Sequence, residues 1–221
     1  MKHNGFEYVD LGLPSGTKWA KNNVGADKET DCGLYFSWGE TKGYDSPNGA
    51  KIFDRRNYKF SNKSFIYNFT KYNNTDGKKV LDLCDDAAHI HMCGKWHMPT
   101  DEQIRELIKN TENIWVTDYN NSGANGRLFT SKRNGEKLFF PACGLLFAEG
   151  YNGLNKFGYF WSNSVDNYRS DCGRDLLFGT VIIFNSIVNR TLGLCVRGVF
   201  NTFWINNCSV NYHNLKVGVA H

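Results

Sequence analysis

The sequence predicts an α+β fold: two helices, short antiparallel strands and much irregular structure. Three observations carry that prediction. There are 22 Gly and 26 Asn against only 4 Pro, and because Gly and Asn tolerate positive φ, turns are frequent. Aromatic residues make up 15% of the chain, which suits strands and irregular packing better than helical bundles. Hydrophobic residues, 41% of the total, are spread along all 221 residues, so one large globular domain is the default expectation.

The elements follow in order. Phe6 to Leu11 alternates and reads as a strand, Leu13-Pro14-Ser15-Gly16 has turn chemistry, and Thr17 to Ala20 resumes extended structure. A further strand-like segment is Leu34 to Gly39. Residues 41 to 78 are polar, rich in Lys, Asn, Ser and Tyr and without a sustained period, which predicts a long surface insertion with at most short elements. A short helix is expected from about Asp86 to His89, with Asp85 as N-cap, where its carboxylate also suits the positive end of the helix dipole. The clearest helix starts at Thr100: Thr100 and Gln103 make a capping box, and Ile104, Leu107 and Ile108 form an apolar stripe ending near Asn110. This helix is expected to pack on one sheet containing Leu138 to Phe140 and Leu194 to Val199. From Trp115 onward the pattern is strand-like, with Gly126 to Thr130 and Lys137 to Phe140 flanking an Asn134-Gly135 hairpin turn. Strands are then expected at Gly158 to Ser162, Leu176 to Phe184 and Leu194 to Val199.

Several function classes are disfavoured. The net charge of +4 comes from scattered Lys and Arg, without the basic stripe or module of a nucleic-acid binder. No apolar run is long enough to span a membrane, and the residues after Met1 lack the pattern of a secretory signal, which favours a cytoplasmic location. Seven Cys without a CxxC motif read as free thiols rather than a disulfide framework.

Four ordered blocks carry a family resemblance. Tyr8 to Ala20, then Asn23 to Ala26 with Gly33 to Thr41, form the first; Asp85 to Ala88 with Gly94 to Thr100 the second; Phe140 to Gly144 the third; and Gly158 to Ser162 leading to Val196 to Val199 the fourth. Together they resemble the Fibrobacter succinogenes major paralogous domain, common in gut Bacteroidota and their phages. The resemblance implies a C-type lectin-like fold of the formylglycine-generating-enzyme-like subclass over residues 1–199, with 200–221 as a C-terminal extension. It also implies a cell-surface or virion location. His97 departs from the family's usual Arg.

Some members of that family are similar to the variable proteins of diversity-generating retroelements, in which adenine randomisation turns AAC codons into NNC codons. Such codons cannot encode Lys, Glu, Gln, Met or Trp. Between Asn163 and Arg197 none of the five occurs, although the rest of the chain holds 17 Lys, 8 Glu, 1 Gln, 3 Met and 6 Trp; independent draws give that absence a chance of roughly 0.2%. Leu176, Phe178, Val181 and Ile183 are expected to face the core. Asp166, Asn167, Tyr168, Arg169, Asp175, Leu177, Thr180, Ile182, Phe184, Asn185 and Ile187 are the expected ligand-binding residues on an exposed, adhesin-like face. The alternative is a strand buried on both faces, since Leu177, Ile182 and Phe184 are apolar. The expected partner is a protein or glycan on a cell or phage surface. The rival expectation is a structural or assembly component acting through the extension.

No cofactor or metal is expected. His89, His91, Cys93 and His97 supply donors that suit zinc, but positions i and i+2 share no helix face. The sugar-site tripeptides of calcium lectins are absent, while stacking on aromatic rings with amide hydrogen bonds is a separate route to glycans. Cys172 and Cys195 are the pair that formylglycine-type chemistry would use, with no base placed beside them, so the chain is expected not to be an enzyme. Trp19, Trp38, Trp96 and Trp161 are expected in the core with their N–H groups bonded.

Overall fold

The computed structural model describes residues 1–45, 53–62, 69–147 and 150–201. Apart from Phe200 and Asn201, the extension at 200–221 lies outside these residues. The described chain is mostly β-sheet with two α-helices, broadly α+β.

The N-terminus opens on a hairpin not anticipated above: β1 (Lys2–His3) and β2 (Phe6–Val9) flank Asn4-Gly5, whose φ angles of 47° and 85° are those a tight hairpin turn demands. β3 (Lys18–Ala20) pairs β2 and then β14 (Val199–Phe200), with Val199 opposite Trp19. The central sheet has the order β12-β11-β10-β13-β4. Its strands are β4 (Tyr35–Phe36), β10 (Gly158–Val165), β11 (Cys172–Phe178), β12 (Ile183–Asn189) and β13 (Leu194–Cys195). A third sheet joins β5 (Thr111–Val116), β6 (Gly126–Ser131) and β7 (Lys137–Pro141), and the Arg133-Asn134-Gly135 turn connects β6 to β7 as expected. A small hairpin adds β8 (Leu145–Phe147) and β9 (Gly150–Asn152).

Apart from its edge strand β12, the central sheet is buried on both faces. Neighbouring residues Tyr35 and Phe36, Phe160 and Trp161, and Leu194 and Cys195 divide between two core clusters, as the strand period of two requires. One face meets Ile104 and Leu107 of α2 together with Phe129, Leu138 and Phe140; the other meets Trp38, Trp96, Tyr72 and Val165. Gly158 and Gly173 are needed for this packing: a Cβ at Gly158 would lie 2.1 Å from the Phe178 ring, and one at Gly173 would lie 2.8 Å from Trp38. Nearly uninterrupted burial of β10 is the outcome.

Helix α2 (Asp101–Asn110) has the expected box, Gln103 N–H to Thr100 Oγ1 at 3.1 Å and Thr100 N–H to Gln103 Oε1 at 2.9 Å. It lies against β10, β11, β12 and β5. The single sheet expected beneath it is in fact three: Leu138 to Phe140 belongs to β7, and the Leu194 to Val199 segment divides between β13 and β14 in different sheets. Helix α1 (Ala87–Met92) is longer than expected, and its cap is Asp86 rather than Asp85. The Asp86 carboxylate accepts from His89 N–H at 2.9 Å and from Met98 N–H at 2.8 Å, fastening the helix to the Trp96-to-Thr100 block. Asp85 is buried instead, accepting from Lys59 and Lys71, each at 2.5 Å, and from Tyr72 at 2.6 Å. Burial alone would raise its carboxyl, but these hydrogen bonds hold it below the ordinary range.

Among its described residues, the segment 41–78 has β-structure only as isolated bridges, Tyr35 to Tyr44 and Ser61 to Phe69. It is not all surface, however: Phe53, Tyr58, Phe60, Phe69 and Tyr72 are buried. The last four share a partner, Arg190, fully buried at the end of β12, with its guanidinium carbon 4.4 to 5.9 Å from the rings of Trp38, Tyr58, Phe60, Phe69 and Tyr72. Arg190 also donates to Tyr58 Oη and to the carbonyls of Lys71, Tyr72 and Ser170. Polar sequence hid an aromatic lining organised by one distant cation. Trp38, Trp96 and Trp161 bond their N–H groups to the carbonyls of Ser162, His3 and Phe36; Trp19 is buried with its N–H unpartnered among the described residues.

Candidate functional site

The expected strand Leu176 to Phe184 is a hairpin. β11 ends at Phe178, the chain turns through 179–182 with Gly179 N–H bonded to the Ile182 carbonyl at 2.9 Å, and β12 returns from Ile183. The three-residue step from Phe178 to Val181 breaks a period of two, and that break was the available signal. Leu176 and Phe178 are buried and Ile183 packs on the core as expected, but Val181, at 89% exposure, is at the tip of the turn rather than in the core.

Pairing assigns the remaining residues. Leu177 opposes Phe184 and Asp175 opposes Ser186 on one face; Leu176 opposes Asn185 and Arg174 opposes Ile187 on the α2 side. Asn167, Tyr168, Arg169, Thr180, Phe184 and Ile187 are exposed, and Leu177, Ile182 and Asn185 are half-buried. Asn185 is engaged with α2, its amide donating to Asp101 Oδ1 at 2.7 Å.

Asp166 and Asp175 are buried, against expectation. Asp166 organises the turn 166–171: its carboxylate accepts from the backbone N–H groups of Tyr168 and Arg169 at 3.0 and 2.9 Å and from the Arg174 guanidinium at 2.7 Å. Asp175 has no exposed surface, and neither carboxylate oxygen makes a full hydrogen bond among the described residues, with Ser186 and Tyr159 as polar neighbours. Loss of water pushes its carboxyl up to about 8, so it is held largely neutral at pH 7.

A residue outside the expected set fixes the other turn. Arg127 of β6, opposite Trp115 of β5, is buried and donates to the carbonyls of Gly179 and Ile182 at 2.7 and 3.2 Å, and to Asn113 Oδ1 at 2.8 Å. The turn is thereby held against the β5–β6 edge, leaving an open groove of about 450 Å³. Trp115 and Phe157 supply rings, Thr180, Val181 and Ile182 the turn wall, and Asn125, Asn155 and Lys156 the polar rim. Asn125 and Asn155 brace one another, Asn125 Nδ2 to the Asn155 carbonyl at 3.1 Å. Lys156 has no ion pair among the described residues, and no carboxylate lines the groove. The volume is that of a small-ligand site.

No family model, curated protein or solved structure matches this chain.

A second groove, of about 480 Å³, runs between the N-terminal hairpin and residues 20–27 and contains none of the expected residues. The histidine-cysteine cluster does not converge: His89 bonds the Trp96 carbonyl, His91 the Thr41 carbonyl, Cys93 the Ile90 carbonyl and His97 the Met98 carbonyl. Among the described residues no group of three or more His, Cys, Asp or Glu is placed to hold a metal. Cys172 and Cys195 lie on non-adjacent strands of the central sheet. Burial pushes the Cys172 thiol up to about 11 and also raises Cys195, which keeps both protonated at neutral pH. Arg197 is fully buried, donating to Asn23 Oδ1 at 2.7 Å, to the carbonyls of Ala20 and Phe139, and to that of Lys21.

Proposed function

We propose that this chain is a non-enzymatic ligand-binding protein that recognises a protein or glycan on a cell or phage surface, and that it does so on a C-type lectin-like scaffold. The observation that carries the reading is the Trp115–Phe157 groove, whose wall is the 179–182 turn. Two rings, an ammonium with no ion pair among the described residues and a lining without a carboxylate make a surface for stacking and for hydrogen bonds to a sugar or an interface side chain. The protonated thiols support the non-enzymatic part of the reading.

Retroelement diversification, as the resemblance suggests it, fits only part of the window. Substitution is compatible with the fold at the exposed Asn167, Tyr168, Arg169, Thr180, Phe184 and Ile187, and incompatible at the buried Asp166, Leu176, Phe178 and Arg190, which hold the strands and turns in place. The binding surface therefore comprises the two exposed turns and the edge of β12, where Phe184 and Ile187 are exposed on opposite faces, with the groove at one end.

The test uses a glycan array and a panel of intact bacterial cells, probed with the full chain and with a Trp115→Ala/Thr180→Ala/Val181→Ser variant. The expected result is binding by the parent and at least a tenfold loss in the variant, with its thermal melt within a few degrees of the parent's. Equal binding by the two proteins overturns the groove, and binding by neither overturns the recognition role.

A further inference from the structure

Three thiols far apart in sequence meet at one hydroxyl. Cys32 precedes β4, Cys143 follows β7, and Cys195 in β13 pairs directly with Tyr35. All three pack with Tyr35 in the same core cluster. Cys143 is the hub. Its carbonyl accepts from the Tyr35 hydroxyl at 2.7 Å, and its sulfur lies 3.9 Å from Asn23 Nδ2, which also donates to the Cys32 carbonyl at 3.1 Å. The Asn23 amide thus bridges Cys32 and Cys143, and Cys195 packs in the same cluster beside them. All three are free, Cys143 and Cys195 buried and Cys32 partly exposed.

The two neighbours of Cys143 differ in what they can do. Cys195 is fully buried in a strand paired to β10 on one side and β4 on the other, so its backbone is fixed and nothing from solvent reaches it. Cys32 sits in an irregular stretch just before Gly33 and is partly exposed. The neighbouring Cys143 holds the Cys32 thiol below the ordinary range against the opposing effect of burial, while burial raises Cys143. An accessible, more acidic thiol beside a hidden, less acidic one is the arrangement of an attacking and a resolving cysteine.

We propose that Cys32 and Cys143 form a thiol–disulfide modification site that reacts with low-molecular-weight disulfides. The Cys32 thiolate attacks one sulfur of oxidised glutathione, forming a mixed disulfide and releasing one glutathione thiolate. That thiolate takes up the Cys143 proton. The Cys143 sulfur then attacks the Cys32 sulfur, forming the Cys32–Cys143 bond and expelling the second glutathione as a thiolate, which takes up the proton that Cys32 released on ionising. Two protein thiols are oxidised and one glutathione disulfide is reduced to two thiols. The bond ties the 25–34 stretch to the end of β7 across more than a hundred residues of chain, and restricting so long a loop stabilises the folded state.

The experiment incubates the full chain with oxidised glutathione at pH 8, quenches with acid, alkylates the remaining thiols and maps the peptides by mass spectrometry. The expected product is a peptide pair joined through Cys32 and Cys143, reversed by dithiothreitol and accompanied by a rise of several degrees in melting temperature. Cys32→Ser should abolish the link and the rise together while folding normally, and Cys195→Ala should retain the link. A link from Cys32 to any other cysteine, a Cys143–Cys195 link, or glutathione trapped on Cys32 with no internal bond overturns the proposal.

Discussion

Strand β11 runs between two turns that are held in different ways. The 166–171 turn is organised from within its own sheet: the Asp166 carboxylate collects two backbone N–H groups and Arg174, and Arg190 takes the Ser170 carbonyl. The 179–182 turn is held from outside, by Arg127 of another sheet reaching two turn carbonyls. The first turn can thus keep its shape whatever side chains stand at 167 to 169. The second is one wall of a composite groove, and its position depends on β5 and β6 as well as on its own residues.

Substitutions should separate the two. Asp166→Ala has the largest expected effect: two backbone donors lose their acceptor and Arg174 loses its nearest carboxylate, for a cost of about 3–4 kcal/mol, read as a melting temperature lower by roughly 6–16 °C. Arg127→Ala should cost about 2–3 kcal/mol and, unlike Asp166→Ala, abolish binding at the groove even at temperatures where the variant is folded. A variant that loses stability yet keeps full groove binding would show that the second turn holds itself.

Asp175, midway between the turns, adds a pH dependence. Its folded carboxyl is pushed up to about 8 from an ordinary value of 3.8, so between those pH values the folded state holds the proton more strongly than the unfolded one. Its contribution to stability is therefore fully present below about pH 4 and declines as pH rises toward 8. Asp175→Asn removes that decline, and it should gain about 1–2 kcal/mol over the parent at pH 7.5 and little at pH 4.5, a discounted share of what the shift implies because the amide also lacks partners. Melts across the range read it directly, and a parent stability that rises from pH 5 to 8 while the variant's stays level would contradict the assignment. The smallest effect belongs to Tyr168→Ala. Its side chain is 92% exposed, so the change should stay within about 0.5 kcal/mol.

What the sequence revealed was local. The Thr100–Gln103 box and the Asn134-Gly135 turn are written in four or five consecutive residues, and both are present in the structure. The site was less legible because its decisive contacts join distant segments. Arg127 reaches a turn 52 and 55 positions away, and no spacing rule links them. Asp175 was expected outside because a carboxylate in an alternating strand ordinarily faces water; here the second core cluster covers that face, and the sheet is buried twice over. Val181 was misplaced for the opposite reason, an apolar residue assigned to the core although it stands three residues after Phe178, where the chain turns. Asp85 and Asp86 are adjacent carboxylates, and choosing the cap between them required knowing that Lys59, Lys71 and Tyr72 claim the first.

The buried guanidinium of Arg190 has a consequence for how the chain assembles. Its partners Tyr58, Lys71 and Tyr72 are separated from it by 132, 119 and 118 positions. On a ribosome adding about 5–20 residues per second, the aromatic segment would emerge well before the cation that organises it and wait several seconds with its rings unclaimed. Contacts of such separation carry a large loop-closure cost and close late, which makes 53–78 the stretch where a nascent-chain protease or a chaperone would find its longest opportunity.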